Sequence, residues 1–586
     1  MKPHIRELIE SALATLREQG VLPDDAKPEI RVDHTREKSH GDLASNVALM
    51  LARQAKINPR QLAEKIITAL PKTEHVAKVE VAGPGFINFH LREGARQAVV
   101  RTVLEQGNRF GCFDRDEPHR ILLEFVSANP NGPLHVGHGR IAAYGDSLVR
   151  LLIAAGNEVH TEYYVNDAGR QMDILAASVW FRYLDLCGEQ LPFPANGYHG
   201  DYVWDIGASL HRENGDTFLH AAGDILKDLP ADEPDGGDKD LYVDALIERA
   251  QALLGGERYQ RVHQQGLKEI LRNIEQDLKE FGVEYDEWFL ESSLTGTGAV
   301  DHAIDTLSKH DDLYEQDGAL WFRSSQYGDD KDRVVRRDNG QITYFASDIA
   351  YHLNKLERGY DTLIDIWGAD HHGYVSRVKA AIDALGGNPE TLTVRLVQFV
   401  VLYREGRQVQ MSTRSGEFVP LRELRNEVGN DAARFFYVMR KSEAHLDFDL
   451  DLAKSQSQDN PVYYVQYAHA RVASVMAQLR DKGLARDEAK GFDHLHLLTE
   501  EHEEQLLMLL SRYPELITAA AGNYEPHQIT WYLRELAQAF HTYYNAHQFL
   551  VESDTLRDAR LNLILAVQQV IRNGLSIIGV NAPESM

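Results

Sequence analysis

Residues 120–156 read RILLEFVSANPNGPLHVGHGRIAAYGDSLVRLLIAAG. RILLEFVS is a short apolar run with the length of a buried strand. VGHGRIAAYGDSLVRLLIAAG has a helix's pattern and ends near Gly156, and NEVHTEYYV (157–165) follows as a second strand. Strand, glycine-rich loop, helix and strand make a βαβ unit, the start of a parallel sheet. A second strand–helix unit is readable in DTLIDIWGADHHGYVSRVKAAIDALG (361–386).

The rest of the chain arranges itself around these two units. Residues 1 to about 110 hold two helical patterns and a strand-rich stretch, HVAKVEVAGPGFINFHL, turned at Gly83-Pro84-Gly85. Residues 171–340 read as a mostly helical insertion, with DLPADEPDGGDKD (228–240) as a solvated loop. Beyond about 430 the pattern is almost wholly helical, a bundle appended to an α/β core. A chain of 586 residues is long enough for several such domains.

Composition narrows the class without naming the partner. The chain is 43% hydrophobic and 26% charged, as in ordinary soluble proteins. Its amino-terminal helix lacks the apolar centre of a signal peptide, and no stretch reaches the ~18 apolar residues of a membrane span. The expectation is a cytoplasmic protein with no membrane partner. Only Cys112 and Cys187 occur, which argues against a disulfide framework or a cysteine zinc site. The formal charge of −27 does not exclude nucleic acid, because local arginines and aromatics decide binding.

The loop GPLHVGHG (132–139) nearly spells a phosphate-binding P-loop, but His138 stands where lysine belongs and Gly139 where the magnesium-binding hydroxyl belongs. Its position at a strand's carboxyl end and a helix's start still favours phosphate, through free backbone N–H groups and the helix dipole. Gly137 would let a nucleotide lie close to the backbone. His135 and His138, one helical turn apart, could donate to phosphate oxygens as charge develops there, which suits attack on an α-phosphate with pyrophosphate leaving. The plainer reading is that both histidines cap the loop and helix.

HVGH in the context EFVSANPNGPLHVGH resembles the HIGH signature of class I aminoacyl-tRNA synthetases, and specifically the arginyl-tRNA synthetases. The resemblance continues through YYVNDAGRQM (163–172), TYFASDIAYH (343–352), WGADHHGY (367–374), GNDAARFFYVMR (429–440) and NPVYYVQYAHAR (460–471) to the final APESM. It implies an α/β Rossmann-like catalytic core with a parallel sheet (113–425, helical insertion about 171–340). It also implies an N-terminal α+β tRNA-binding domain (1–112) and a C-terminal all-α helical bundle that binds the anticodon (426–586). The implied reaction is ATP-dependent ligation of L-arginine to tRNA(Arg) through an arginyl-adenylate. ATP with Mg²⁺ would be required and zinc would not; the chain would act as a monomer, and activation would depend on bound tRNA.

Glu124 lies inside an apolar strand, where a carboxylate is costly to bury unless it meets a cation or donors. Asp348 falls at the start of a helix, where it could simply stabilise the N-terminus. If both converge, they form the planar fork that a guanidinium needs. In the family, the matching positions hold the guanidinium, with Tyr344 beside it. Ser127 and Asn129 match positions that take the amino acid's backbone end. Asp370 and His371, at the end of the later strand, are assigned to the nucleotide more loosely. The family's second signature, KMSKS, corresponds to Gln410-Met411-Ser412-Thr413-Arg414-Ser415, and both lysines are missing. A cation should still neutralise the leaving pyrophosphate, so Arg414 is the first candidate, then Arg404 or Arg407. By the same resemblance, Met411 and Ser412 touch the nucleotide. The lysine-free loop also leaves open a tRNA-binding paralogue without catalysis. A synthetase for another amino acid is disfavoured by the Glu124–Asp348 pair.

In the last domain Tyr463, Tyr467 and Arg471 share a helical face, and Phe540, Tyr543 and Tyr544 form a second group. Aromatics at this spacing are either core or stacking platforms for unpaired bases. The resemblance implies tRNA contact by Tyr463, Tyr467, Arg471 and Tyr543, with Met586 near the anticodon.

Overall fold

The computed structural model describes residues 1–26, 28–35, 40–73, 75–92, 94, 96–409 and 419–586. At its centre is a five-stranded parallel sheet. β1 (Arg120–Phe125) leads through the helix α1 (Val136–Ala154) to β2 (Glu158–Val165); β3 is Glu287–Leu290, and β4 (Thr362–Gly368) and β5 (Leu392–Val397) complete it. The spatial order is β3-β2-β1-β4-β5. The chain builds outward to β3, then returns to the other side of β1. The reversal between β1 and β4 leaves a crevice at the strands' carboxyl ends, where such sheets bind ligands.

Local chemistry explains why α1 begins where it does. His135 is its N-cap: the imidazole Nδ1 accepts from the N–H groups of Gly137 (3.1 Å) and His138 (3.4 Å). His138 Nδ1 accepts in return from His135 N–H at 3.3 Å, a reciprocal capping box made of two histidines. Further along, a Cβ at Gly145 would lie 2.3 Å from the Phe125 ring, so the glycine lets the helix sit directly on β1. Almost every residue of α1 is buried.

The insertion is mostly helical, as expected, but it also supplies strands. It is helical through Arg170–Leu186, Asp201–Asn214 and Lys239–Glu280. Glu287–Leu290 then pairs with β2 as the sheet's edge strand, and residues 313–336 form a three-stranded antiparallel sheet. EWFL is too short to show strand periodicity, and its neighbour in the sheet lies more than a hundred residues earlier in the chain. α2 (Tyr344–Glu357) follows and leads into β4.

The N-terminal unit is a four-stranded antiparallel sheet with the helices Lys2–Glu18, Val47–Ala55 and Pro59–Ala69, and it has its own core from Ile5 to Phe89. Helix Ala98–Gln106 packs instead with the last helix of the chain, and Val100, Val103 and Phe110 join the main core. Asn573 donates to the Gly107 and Phe110 carbonyls at 2.9 and 3.2 Å. After 430 the chain still supplies one strand, Leu446–Asp449, parallel to Val400–Arg404. The bundle then follows: α3 (Pro461–Asp481), Glu501–Asn523, α4 (His527–Ala546) and α5 (Asp554–Ile577). Among the described residues, no helix is long and apolar enough to cross a membrane.

Candidate active site

Parallel register sets Asp365 of β4, Glu124 of β1, Glu162 of β2 and Glu287 of β3 abreast on one face of the sheet. Four adjacent acids would repel strongly, and α2 answers them. Lys355, fully buried, places Nζ 2.5 Å from Glu124 and 2.8 Å from Asp365. The Tyr351 hydroxyl reaches both Glu124 (2.9 Å) and Glu162 (2.6 Å). His352 Nε2 lies 3.1 Å from Asp365, and Arg358 bridges Glu162 and Glu287 at 2.6 and 3.0 Å. Burial alone would raise the Asp365 carboxyl, but the Lys355 ammonium and His352 hold it below the usual range. Burial alone would lower Lys355, and Asp365 and Glu124 raise it instead.

This alters the expectation for Glu124. Its Oε2 is taken by Lys355 and Tyr351, and its Oε1 accepts from the Ser127 hydroxyl at 2.8 Å. The strand's buried carboxylate has met a cation within the chain, and its other oxygen holds Ser127. Ser127 also accepts from Tyr164 N–H at 3.1 Å, and it sits at φ +40° after Val126 at φ +69°. A β-branched residue at positive φ is strained, and the turn it makes follows directly on β1, with Ser127 partly buried and Asn129 exposed.

Two further acids lie nearer the carboxyl ends. Glu291, the first residue after β3, is 7% exposed. Burial, with the charges of Asp348 and Asp167, pushes its carboxyl up to about 7. Asn166 donates to Glu291 Oε2 at 2.8 Å with its amide turned to satisfy both ends. Asp348 is also pushed up by burial, opposed by the Tyr374 hydroxyl that donates to it. The Tyr164 phenol is raised by burial and by Glu291, Asp348, Glu124 and Asp167 around it. A cavity opens beside this group, lined by Asn166, Ala168, Gln171 and Tyr344. Tyr344 is 59% exposed at its rim. Gly169, at φ +90°, passes where a Cβ would meet the Tyr344 hydroxyl at 3.0 Å. Two desolvated carboxylates and a phenol at an open cavity are chemically suited to a cation.

At the other side of the crevice, the His135 and His138 rings stack with centroids 3.6 Å apart. Burial lowers them to about 4 and about 3, so both are neutral at physiological pH. Each uses Nδ1 as an acceptor, which assigns the proton to Nε2 and makes each ring an N–H donor. The plainer reading is what the structure shows: the histidines cap the helix, and capping fixes their tautomer. Gly137 leaves room that a Cβ could not share with the His135 ring, 2.9 Å away. Asp370 and His371 are exposed in the 3-10 turn after β4 and lie 3.5 Å from one another. Met411, Ser412 and Arg414 lie outside the described residues. The flanks of that stretch are fixed: Val409 N–H bonds the Leu402 carbonyl, and the Val419 carbonyl accepts from Val136 beside His135 at 3.1 Å.

In the bundle, Tyr463 and Tyr467 stack at 5.9 Å, and the Arg471 guanidinium lies between Tyr467 and Tyr544, 4.5 and 4.6 Å from their rings. All four are partly buried, so each keeps some surface in reach of a partner. Tyr543 is a correction: it is fully buried, its hydroxyl donates to Glu503 at 2.7 Å, and it packs on Phe549. Helical spacing alone could not say which of two neighbouring tyrosines faces inward. The tail is pinned near this platform by Gln466 on the Asn581 carbonyl (2.9 Å) and His469 on that of Pro583 (2.8 Å), leaving Met586 exposed.

Sequence reasoning missed Glu291, Tyr164, Asn166, Lys355 and Tyr374. A signal existed for Lys355: Asp348, Tyr351, His352 and Lys355 fall at i, i+3, i+4 and i+7, a polar stripe along one face of the helix. Glu291 gave none, because its strand was not recognised.

Comparison with known proteins agrees with this fold. Residues 3–91 match the arginyl tRNA synthetase N terminal domain, residues 99–188 and 244–452 the class I (R) tRNA synthetase catalytic domain, and residues 465–586 the DALR anticodon binding domain. An arginine–tRNA ligase of Thioalkalivibrio sulfidiphilus is 61% identical over 586 residues, covering 100% of both chains. One from Halorhodospira halophila is 56% identical over 589 residues, again with 100% of both covered. The solved arginyl-tRNA synthetase of Thermus thermophilus shares the fold at a TM-score of 0.71 and 24% identity, over 99% of this chain and 100% of that one. The chain belongs to the arginyl-tRNA synthetases, within class I.

Proposed function

We propose that the protein ligates L-arginine to tRNA(Arg) at the expense of ATP. The observation that carries this reading is the desolvated pair Asp348 and Glu291 beside Tyr164 and Tyr344, across the crevice from the N-terminus of α1. Asp348 and Glu291 take the guanidinium, and Tyr344 closes over it. Ser127, oriented by Glu124, and Asn129 take the α-amino and carboxylate end. The arginine carboxylate then attacks the α-phosphate of ATP, an oxygen–phosphorus bond forms, and pyrophosphate leaves with the electron pair of the broken bond. The His135 and His138 Nε2–H groups donate to phosphate oxygens as charge builds there, and Gly137 admits the nucleotide to the helix end. Next, the terminal ribose hydroxyl of the tRNA attacks the arginyl carbonyl, and AMP leaves.

Neutral histidines supply donors but no charge. That fits a need for Mg²⁺ on the phosphates and for arginine side chains near the 410–418 stretch, with Arg414 first and Arg404 or Arg407 next. Met411, Ser412, Asp370 and His371 are assigned to the nucleotide. Tyr463, Tyr467, Arg471 and the Met586 end form the tRNA surface of the bundle. A monomer, a cytoplasmic place and a reaction without zinc complete the reading. The test is Asp348→Asn. It should lose arginine charging by about a thousandfold while tRNA binding persists, because a buried polar site deprived of its charge rejects its substrate strongly. Unchanged arginine kinetics in this variant would remove the pocket from the account.

A further inference from the structure

One oxygen of Asp348 is already occupied. The Tyr374 hydroxyl donates to Asp348 Oδ2. Tyr374 ends the 3-10 turn Ala369–Tyr374 that follows β4, and its ring is packed on three sides. The Arg377 guanidinium lies 4.7 Å from the ring centroid, Phe345 stands edge-on at 6.2 Å and Trp367 at 6.1 Å. Arg377 is in turn 3.8 Å from Asp329, a buried carboxylate that accepts two hydrogen bonds from Arg333 and one from Ser324. A continuous strut therefore runs from the antiparallel sheet of residues 313–336 to the carboxylate in the pocket.

We propose that Tyr374 is a positioning residue for arginine recognition: its hydroxyl, braced by Arg377 and Asp329, holds Oδ2 of Asp348 and leaves Oδ1 for the guanidinium. The inference rests on the reading of Asp348 as the guanidinium's partner. The hydroxyl has a second consequence, for charge. Burial drives the Asp348 carboxyl upward and Glu124 adds to this, while the Tyr374 hydrogen bond, His352 and Lys355 hold it down. Glu291 and Tyr164 face it across the pocket, and Asp167 acts on both of them. Removing the hydroxyl deletes the donor that stabilises the charged form, so Asp348 takes up a proton at a higher pH.

Tyr374→Phe is the informative variant, because the ring keeps its contacts with Arg377, Phe345 and Trp367. KM for arginine should rise about tenfold at neutral pH with kcat changed by less than about twofold, the loss of one hydrogen bond to a charged group. The acid limb of kcat/KM for arginine should also move up by about one pH unit. Arg377→Leu should reproduce both changes in smaller degree. A Tyr374→Phe enzyme with unaltered KM and an unmoved acid limb overturns the positioning role, and Asp348→Asn measured alongside tells the two ideas apart. If Asp348→Asn abolishes charging while Tyr374→Phe is silent, the pocket stands and the strut falls. If Asp348→Asn is itself silent, the reading of the pocket falls first. Lower kcat and lower thermal stability in Tyr374→Phe, with the acid limb in place, would mark a structural role and equally overturn the proposal.

Discussion

Arginine binding should be linked to a proton through Glu291. In the free site its carboxyl sits at about 7, against an ordinary value of 4.5. A guanidinium beside it favours the charged form, so binding at lower pH must expel a proton. For one such group, affinity falls by the factor 1 + 10^(pKa − pH). That is about thirtyfold on going from about pH 8.5 to about pH 5.5, or ~2 kcal/mol. Asp348 is shifted in the same direction and adds to the effect. The assay is KM for arginine in steady-state charging across this range, with ATP and tRNA saturating. Calorimetry in two buffers near pH 6.5 should show release of about 0.8 proton per arginine from this one group. Glu291→Gln should raise KM at pH 8.5 and flatten most of the pH dependence. The same shift bears on stability with a definite sign. A carboxyl raised on folding is unstrained below 4.5 and destabilises the fold as pH rises through about 7. The cost in the arginine-free protein reaches ~3 kcal/mol at most. Glu291→Gln should therefore melt higher than the parent at pH 8.5, with the advantage shrinking as pH falls. A KM for arginine that stays level from about pH 5.5 to 8.5 would refute this reasoning.

Further consequences follow from the other groups. Lys355→Met strands Glu124 and Asp365 as buried neighbouring charges, and chemical denaturation should show a loss of ~3–5 kcal/mol. Because burial keeps His135 and His138 neutral, kcat should show no histidine ionisation between about pH 6 and 9, and His138→Asn should lower kcat about a hundredfold or more at every pH in that range. Tyr543→Phe should cost ~1 kcal/mol of stability through the lost donor to buried Glu503, which keeps Arg560 at 2.8 Å, and leave KM for tRNA unchanged. Tyr467→Ala should do the reverse, raising KM for tRNA by about tenfold or more with little effect on arginine.

The sequence carried the fold further than it carried the site. The βαβ unit at 120–165 was legible because its strand is buried on both sides and reads as a continuous apolar run, while its helix has a full period and a capping pair. β3 was not, because a four-residue edge strand has no period to detect, and Glu291 was lost with it. The histidine loop could be read as a phosphate site, but only the structure shows that capping and tautomer are one arrangement. Glu124 was correctly singled out as a buried charge in need of a partner. That its partner is Lys355, 231 residues away in the chain, depends on α2 lying over the sheet. The tyrosines of the bundle show the same limit: spacing groups residues by face, and packing decides which face is inside.

The most direct test of the account is charging of total tRNA by the purified chain, with ATP, Mg²⁺ and each labelled amino acid in turn. The account predicts that arginine alone becomes acid-precipitable, and that Asp348→Asn abolishes the signal while tRNA is still bound. Charging with an amino acid that lacks a guanidinium, or saturable tRNA binding with no charging at all, would contradict it.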